Sequence, residues 1–197
     1  MRRVHASAIF AACLTAAAIL CGDARSAGAD NSETWALLKK PGHIVLMRHA
    51  NAPDSPPDAD KVDFKNCATQ RKLDEAGRAQ ARRVGDEFRK HGINHARLFS
   101  SQYCRAIDTA KLTGLGPIKE LPALNQTYLG DPAGMKRASD SARAFMKKLP
   151  AGDLTVLVSH VPNIQAIAGV LLSSGEMAVV HMDASGGVAV DGRIKVP

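Results

Sequence analysis

Two histidines in this sequence each stand at the end of a short apolar run, where their side chains could do chemistry. His49 follows the run "IVLM" and Arg48, and His160 follows the run "LTVLVS". A neutral imidazole is a nucleophile toward phosphorus, and an arginine guanidinium binds two phosphate oxygens at once. The Arg48–His49 pair therefore indicates a site for a phosphate group, with phosphoryl transfer to a histidine nitrogen as the candidate reaction.

A third segment places a second arginine in a similar setting. The run "ARLF" ends in Ser100 and Ser101, and Arg105 follows one helical turn later. The start of a helix near Ser101 would offer free backbone N–H groups that bind phosphate oxygens. Arg48 and Arg105 would then hold one phosphate, and His160 would donate hydrogen bonds to it.

These residues can meet only if the strands that carry them belong to one sheet. The apolar runs are continuous rather than alternating, which is typical of parallel strands covered on both faces. Because strands alternate with helices, we predict an α/β fold, a three-layer αβα sandwich with a mainly parallel sheet. A hairpin at the C-terminus would add an antiparallel edge. Ligand sites in such sheets form beyond the carboxyl ends of the strands, where the histidines and arginines would converge.

The predicted elements follow from the apolar runs and from helix boundary signals. Residues 51–66 contain three prolines and four aspartates and are predicted to form a loop. Strands are expected at 43–47, 96–101, 116–121, 154–160, 177–182 and 186–190. Helices are expected at 33–40, 74–90, 101–112, 140–149 and 162–172.

The first 29 residues have the pattern of a secretory signal. Arg2 and Arg3 precede an apolar, alanine-rich run over 6–20, and small residues follow up to the A-x-A site at 27–29. The apolar run is too short to span a bilayer comfortably, and no later segment is apolar enough. We therefore expect an exported protein, periplasmic or secreted, with no stable membrane insertion after signal cleavage.

Cleavage after Ala29 would leave residues 30–197, which include His49 and His160, as one domain with a substantial core. Cleavage after Ser26 is the second choice. A lipoprotein anchored through Cys21 is a further alternative, although the leucine before it is large for such a site.

Removal of the signal changes both the charge and the cysteine count. The net charge falls from +7 to +5, because three arginines and one aspartate lie in the removed segment. This modest basic excess suits an anionic ligand, and without an aromatic-rich basic patch a nucleic-acid partner is not expected. Cys67 and Cys104 remain, and in an oxidising compartment a disulfide between them is the first expectation. Two separate buried thiols are the alternative.

Four segments in this order resemble the histidine phosphatase superfamily, also called phosphoglycerate-mutase-like. They are Arg48-His49-Ala50, "LDEAGRAQA" at 73–81, "SSQYCRAIDTA" at 100–110, and His160 after an apolar strand. The short, exported subgroup, which includes lipopolysaccharide-core heptose phosphatases, looks most similar.

The resemblance implies a role for each matching residue. His49 would be the phosphorylated nucleophile. Arg48 and Arg105 would clamp the phosphate, and His160 would complete the pocket and stabilise the transition state. Additional substrate contacts are possible at three positions near these motifs, Gln70, Arg71 and Asn163.

The chain departs from the family pattern at the proton donor. Alanine replaces the usual glycine at position 50. Because alanine does not readily adopt a positive φ, the backbone there must have a negative φ. Many relatives carry a glutamate where this chain has Gln126, and another branch carries an aspartate where this chain has Val161. Glu176 and Asp131 remain as candidates for the general acid. Glu176 is preferred, because it begins a strand soon after the helix that follows His160.

The favoured function is an exported, metal-independent phosphomonoesterase acting on a small phosphorylated substrate through a phosphohistidine on His49. A non-catalytic binder of phosphorylated ligands and a phosphohistidine or phosphoprotein phosphatase are the alternatives, and the signal makes a mutase improbable. No cofactor or metal is expected, because the other histidines of the domain lack the spacing of zinc ligands. These are His43, His91, His95 and His181.

Overall fold

A mixed six-stranded sheet lies at the centre of the computed structural model, which describes residues 31–197 except Pro56, Leu129 and Ala151. The expected cleavage after Ala29 and the segment before it lie outside the described residues. Within the described part of the chain, no helix is long and apolar enough to cross a membrane.

The strands have the spatial order β3-β2-β4-β1-β5-β6. Strands β1, β4, β2 and β3 run parallel, whereas β5 is antiparallel to both β1 and β6. The predicted α/β fold with an antiparallel C-terminal edge is therefore confirmed. The strands are β1 (His43–Arg48), β2 (Arg97–Ser100), β3 (Ile118–Glu120), β4 (Thr155–Ser159), β5 (Met177–Met182) and β6 (Val188–Ile194).

Five helices cover the two faces of the sheet in the described residues. Neighbouring strand residues point to opposite faces, so Val45 and Met47 pack with α1, α2 and α3, whereas Ile44 and Leu46 pack with α4 and α5. Both faces of β1 are thus buried, which explains its unbroken apolar run. The helices are α1 (Ser32–Leu37), α2 (Glu75–Lys90), α3 (Cys104–Thr113), α4 (Pro132–Met146) and α5 (Val161–Ala168).

Several helix boundaries differ from the prediction, and the two largest differences are at the start of α4 and the end of α5. Helix α4 begins at Pro132 instead of residue 140, because the Asp131 carboxylate accepts the backbone N–H of Gly134 and caps the helix. Helix α5 ends at Ala168 instead of residue 172, because Gly169 adopts the left-handed conformation with φ of 73°. Asp131, the second candidate for the proton donor, is thus a helix cap.

Candidate active site

The adjacency of β1, β4 and β2 brings three polar strand ends together. Arg48 pairs with Ser159 in the sheet, and the His49 N–H donates to the Ser159 carbonyl at 3.0 Å. On the other side of β4, the Ser101 N–H donates to the Val158 carbonyl at 3.0 Å. The carboxyl ends of these parallel strands therefore share one edge, as expected for a ligand site in this fold.

The two histidines of this edge face each other across a short gap. The ring centroids of His49 and His160 are 5.2 Å apart, and the planes are inclined at 60°. Both side chains are almost fully buried. The structure thus brings together the pair that the sequence placed at two separate strand ends.

His49 is oriented by its own backbone neighbour. Its Nδ1 lies 2.8 Å from the Ala50 carbonyl, an acceptor only, so Nδ1 carries the proton and Nε2 keeps its lone pair. The Ala50 N–H donates to Thr109 Oγ1, which fixes the turn from the side of α3. No described residue other than glycine has a positive φ, so alanine fits at position 50 without backbone strain.

His160 is held by Ser101 in the same tautomer as His49, with the proton on Nδ1. The Ser101 Oγ lies 2.7 Å from His160 Nε2 and accepts the N–H of Tyr103. Since the serine hydroxyl hydrogen has no other acceptor among its described contacts, it donates to Nε2 and leaves the imidazole proton on Nδ1. That Nδ1 is buried and without a partner among the described residues. An unpaired buried donor is costly, and a bound anion would satisfy it.

The Nε groups of Arg48 and Arg105 are buried and have no hydrogen-bond partner in the described part of the chain. Arg48 donates from Nη1 to the Leu172 carbonyl at 3.1 Å. Arg105 is fully buried and donates to Asp58 at 3.0 Å and to the Gln126 side chain. Burial lowers the pKa of both guanidinium groups, and Asp58 raises that of Arg105 in part. With the His160 Nδ1, these Nε groups make three unpaired N–H donors near one strand edge. Arg48 and His160 line the cavity there, whereas Arg105 does not line it and reaches it through its contact with the lining residue Gln126.

A cavity of about 160 Å³ opens over this edge. A larger cavity, about 280 Å³, lies near the opposite, amino ends of β1, β2 and β4, and lacks the histidine pair. The chemistry of the side chains therefore identifies the smaller cavity as the functional one. It is lined by Arg48, His49, Asp54, Arg71, Gln126, His160, Val161 and Pro162.

Arg71 lines the cavity, as predicted for a substrate contact, and also holds the loop across it. Its guanidinium donates to the carbonyls of Ala52 and Pro53 and forms an ion pair of 2.7 Å with Asp54. Asp54 is the charged lining residue that sequence reasoning missed. The loop 51–66 holds four aspartates, and no pattern within it singles out this one.

Gln70 and Asn163 do not line this cavity, and Gln70 lines another one, of about 310 Å³, together with Pro53. Gln70 is buried, accepts the N–H of Cys104 at 2.9 Å and so supports the start of α3. Asn163 Oδ1 accepts the N–H of Thr127 at 3.0 Å, and its Nδ2 donates to the Asn125 carbonyl. Both amides therefore position the segments that carry Arg105 and Gln126, and their direct contacts with substrate stay a prediction.

Glu176 does not line the cavity either. Its Oε1 forms an ion pair of 2.7 Å with Arg193, and its Oε2 accepts the N–H of Ser173 at 2.7 Å. Its backbone carbonyl accepts the Arg48 N–H at 3.0 Å. The geometry does not support the predicted role as proton donor, because both carboxylate oxygens are engaged away from His49.

The Cys67–Cys104 disulfide is present in the structure, with a Cα–Cα distance of 5.8 Å. It ties the loop before Arg71 to the first turn of α3, directly before Arg105. The bridge closes a loop of 37 residues, and such a cross-link contributes about 2–4 kcal/mol by restricting the unfolded chain.

The two buried histidines make folding stability depend on pH. Burial is the main cause that lowers the pKa of His49 from 6.5 to about 3, and burial also lowers the pKa of His160. The unfolded chain therefore binds more protons than the folded chain between pH 6.5 and about 3. We expect stability to fall as pH falls through this window, measured as a decreasing urea midpoint.

A double variant provides the comparison for this pH dependence. Replacing His49 and His160 by glutamine should flatten the decrease, whereas His95→Gln should not, since the His95 side chain is 79% exposed. Equal slopes in the wild type and the double variant would contradict the assignment.

The sequence profile of the histidine phosphatase superfamily (branch 1) matches residues 44–156, more than half of the chain. A search of curated protein sequences finds no significant match.

Several solved structures have the same fold at low sequence identity. The protein histidine phosphatase SixA complexed with tungstate is 19% identical with a TM-score of 0.55, over 78% of this chain and 96% of that chain. A mycobacterial glucosyl-3-phosphoglycerate phosphatase is 16% identical with a TM-score of 0.57, over 77% and 98%. Phosphoserine phosphatase from Entamoeba histolytica, bound to 3-phosphoglyceric acid, is 14% identical with a TM-score of 0.56, over 78% and 96%.

Proposed function

Because the chain belongs to the histidine phosphatase superfamily, we propose that it is a metal-independent phosphomonoesterase that forms a phosphohistidine on His49. The observation that carries this proposal is the set of buried, unpaired N–H donors around a histidine whose Nε2 is free. Arg48 Nε and His160 Nδ1 belong to residues that line the cavity, and Arg105 Nε belongs to a residue that contacts the lining residue Gln126. Donors left without partners in a buried site are complementary to an anion, and a phosphate has several oxygens to accept them.

In the first step, the lone pair on His49 Nε2 attacks phosphorus, and the bond from phosphorus to the ester oxygen breaks. The hydrogen bond from Nδ1 to the Ala50 carbonyl keeps the ring in this orientation. Since burial holds the pKa of His49 at about 3, the imidazole is neutral and nucleophilic at neutral pH.

In the second step, a water molecule attacks the phosphohistidine, and the bond from phosphorus to Nε2 breaks. Inorganic phosphate is released and His49 recovers its lone pair. Through both steps the nearby arginines and the His160 Nδ1–H stabilise the negative charge on the phosphoryl oxygens without rearrangement, which is the main source of catalysis in such sites.

The substrate we propose is a small phosphomonoester whose organic group lies outside the cavity. The cavity of about 160 Å³ has a wall of charged and polar side chains around His49. Its apolar lining comes from Val161 and Pro162 at the start of α5. A phosphate group occupies the charged part, and the organic group extends past the loop 51–66.

A second candidate function is hydrolysis of phosphohistidine or another phosphoprotein. It is favoured by the position of Glu176, whose carboxylate is engaged elsewhere, because a leaving imidazole depends less on a proton donor than an alkoxide does. The similarity to the SixA structure is in accord with this alternative, although at 19% identity it is evidence for the fold alone.

We also propose that the protein is exported, because residues 1–29 have the composition of a secretory signal. N-terminal sequencing of the protein made in a bacterial host tests this, with Asp30 as the expected first residue. Recovery of the intact N-terminus in the cytoplasm would refute it.

Steady-state hydrolysis of 4-nitrophenyl phosphate by the purified protein tests the enzymatic proposal. We expect turnover between pH 4 and 8 in the presence of a chelator, since the proposed steps use only side chains of this chain. Absence of turnover, with retention of inorganic phosphate binding, would show a non-catalytic binder instead.

A further inference from the structure

A phosphomonoesterase needs a proton for its leaving oxygen, and the positions that supply it in relatives lack an acid here. Gln126 and Val161 cannot donate one, and the carboxylate of Glu176 is engaged with Arg193 and Ser173. An alkoxide expelled without a proton is a poor leaving group, and a positioned acid typically accelerates such a step by about 10²–10⁴-fold.

Asp54 is the one carboxylate among the described residues that line the cavity of His49. Its side chain is 93% exposed, so it stands at the mouth and not at the floor, where the buried His49 lies. The leaving oxygen departs on the side opposite to the attacking nitrogen. It therefore emerges toward the mouth, where Asp54 is located.

The position of Asp54 is fixed by Arg71. One guanidinium contacts three consecutive residues of the loop, the carbonyls of Ala52 and Pro53 and the carboxylate of Asp54. Arg71 thus anchors both the loop backbone directly before Asp54 and the Asp54 side chain. Arg71 is anchored in turn, because its backbone N–H donates to the Asp58 carboxylate at 2.8 Å.

The neighbouring carboxylate is excluded by its contacts. Asp58 Oδ1 accepts both the Arg71 N–H and the Arg105 Nη1. It does not line the cavity, and its side chain is 15% exposed. Asp58 therefore supports the arginines, whereas Asp54 has access to the leaving group.

We propose that Asp54 is the general acid and base of the reaction, an inference that rests on the proposed function. Arg71 engages only Oδ1 of Asp54, so the exposed Oδ2 takes up a proton from solvent before the reaction. In the first step the protonated carboxyl gives this proton to the ester oxygen as the bond to phosphorus breaks, and an alcohol leaves. In the second step the Asp54 carboxylate takes a proton from the attacking water as the bond to His49 Nε2 breaks. Phosphate is released, and both side chains return to their starting states.

The test compares Asp54→Asn with Asp60→Asn on esters of different leaving groups. Asp60 belongs to the same loop and is exposed, and it does not line the cavity, so its variant makes the same charge change without removing the acid. The substrates are 4-nitrophenyl phosphate, phenyl phosphate and glycerol phosphate, in order of increasing need for a proton.

For Asp54→Asn we expect kcat/KM to fall by about 100-fold with glycerol phosphate, less with phenyl phosphate, and less than about threefold with 4-nitrophenyl phosphate. Asp60→Asn should match the wild type on all three. Equal losses on the three esters, no loss on any, or a wild type that hydrolyses only the nitrophenyl ester would overturn the role of Asp54.

The outcome separates this inference from the proposed function. If the wild type hydrolyses none of the esters, the proposed phosphomonoesterase function is refuted, and so is the role of Asp54 as general acid. If the wild type is active and Asp54→Asn shows no dependence on the leaving group, only the role of Asp54 is refuted.

Discussion

Replacement of His49 by alanine is expected to reduce the turnover of 4-nitrophenyl phosphate by at least about 10⁴-fold. The variant removes the Nε2 lone pair that attacks phosphorus, and water at the same position is a weaker nucleophile without a general base directed at it. The arginines and His160 remain in place, so phosphate binding should survive while turnover is lost. Steady-state kinetics and titration with inorganic phosphate measure the two effects separately.

The control for this variant is His95→Ala, which removes an imidazole whose side chain is 79% exposed and away from the cavity. It should keep wild-type activity. Rapid quench of the wild type should also trap a phosphoryl group that is labile to acid and stable to alkali, as expected for a phosphohistidine, and map it to His49. Full activity of His49→Ala would eliminate the mechanism.

The second large effect is expected for Arg105→Lys, with a loss of about 10³-fold in kcat/KM. Lysine preserves the positive charge that Asp58 requires, so the fold should be maintained better than in an alanine variant. It cannot reproduce the planar fork, which contacts Asp58 and Gln126 through its two Nη groups and leaves Nε for the phosphate. The single ammonium group of lysine cannot contact Asp58, Gln126 and the phosphate in the directions of the three guanidinium nitrogens.

Two measurements show whether Arg105 acts on the phosphate. The inhibition constant of inorganic phosphate should rise, and kcat should fall, because the guanidinium binds the phosphoryl oxygens in both the ground state and the transition state. Arg89→Lys is the matched control, since Arg89 lies on α2 and contacts Asp86 and the Thr113 carbonyl. Unchanged phosphate inhibition in Arg105→Lys would assign this arginine to the support of the loop alone.

The sheet could be predicted from the sequence because the local signal for its central strands is strong. The run over β1 is apolar on both faces, and the structure buries both faces of that strand. The rule that ligand sites lie at the carboxyl ends of parallel strands then gave the common edge for His49 and His160, before any spatial information was used.

The helix boundaries were less predictable, because they depend on caps that compete with the apolar pattern. Asp131 and Pro132 are typical of the start of a helix, but Gly134, two residues later, has low helix propensity and argues against a helix there. Gly169 ended α5 before the apolar pattern did.

The general acid shows where sequence reasoning reaches its limit. The sequence favours Glu176, because it begins a strand soon after the helix that follows His160, but Arg193, which is 17 residues away, engages its carboxylate. Asp54 was one of four similar aspartates in a loop until the position of Arg71 distinguished it. Contacts between residues distant in sequence leave no local pattern to be read.

The sequence by itself determined the residue types at the strand ends, the fold class and the chemistry of phosphate recognition, because those follow from local periodicity and from the properties of imidazole and guanidinium groups. The tertiary structure alone decided the hydrogen-bond partners of the two histidines, the burial that lowers their pKa, and which carboxylate lines the cavity beside them. Burial and hydrogen bonding arise only when separate segments meet, so no single segment carries that information.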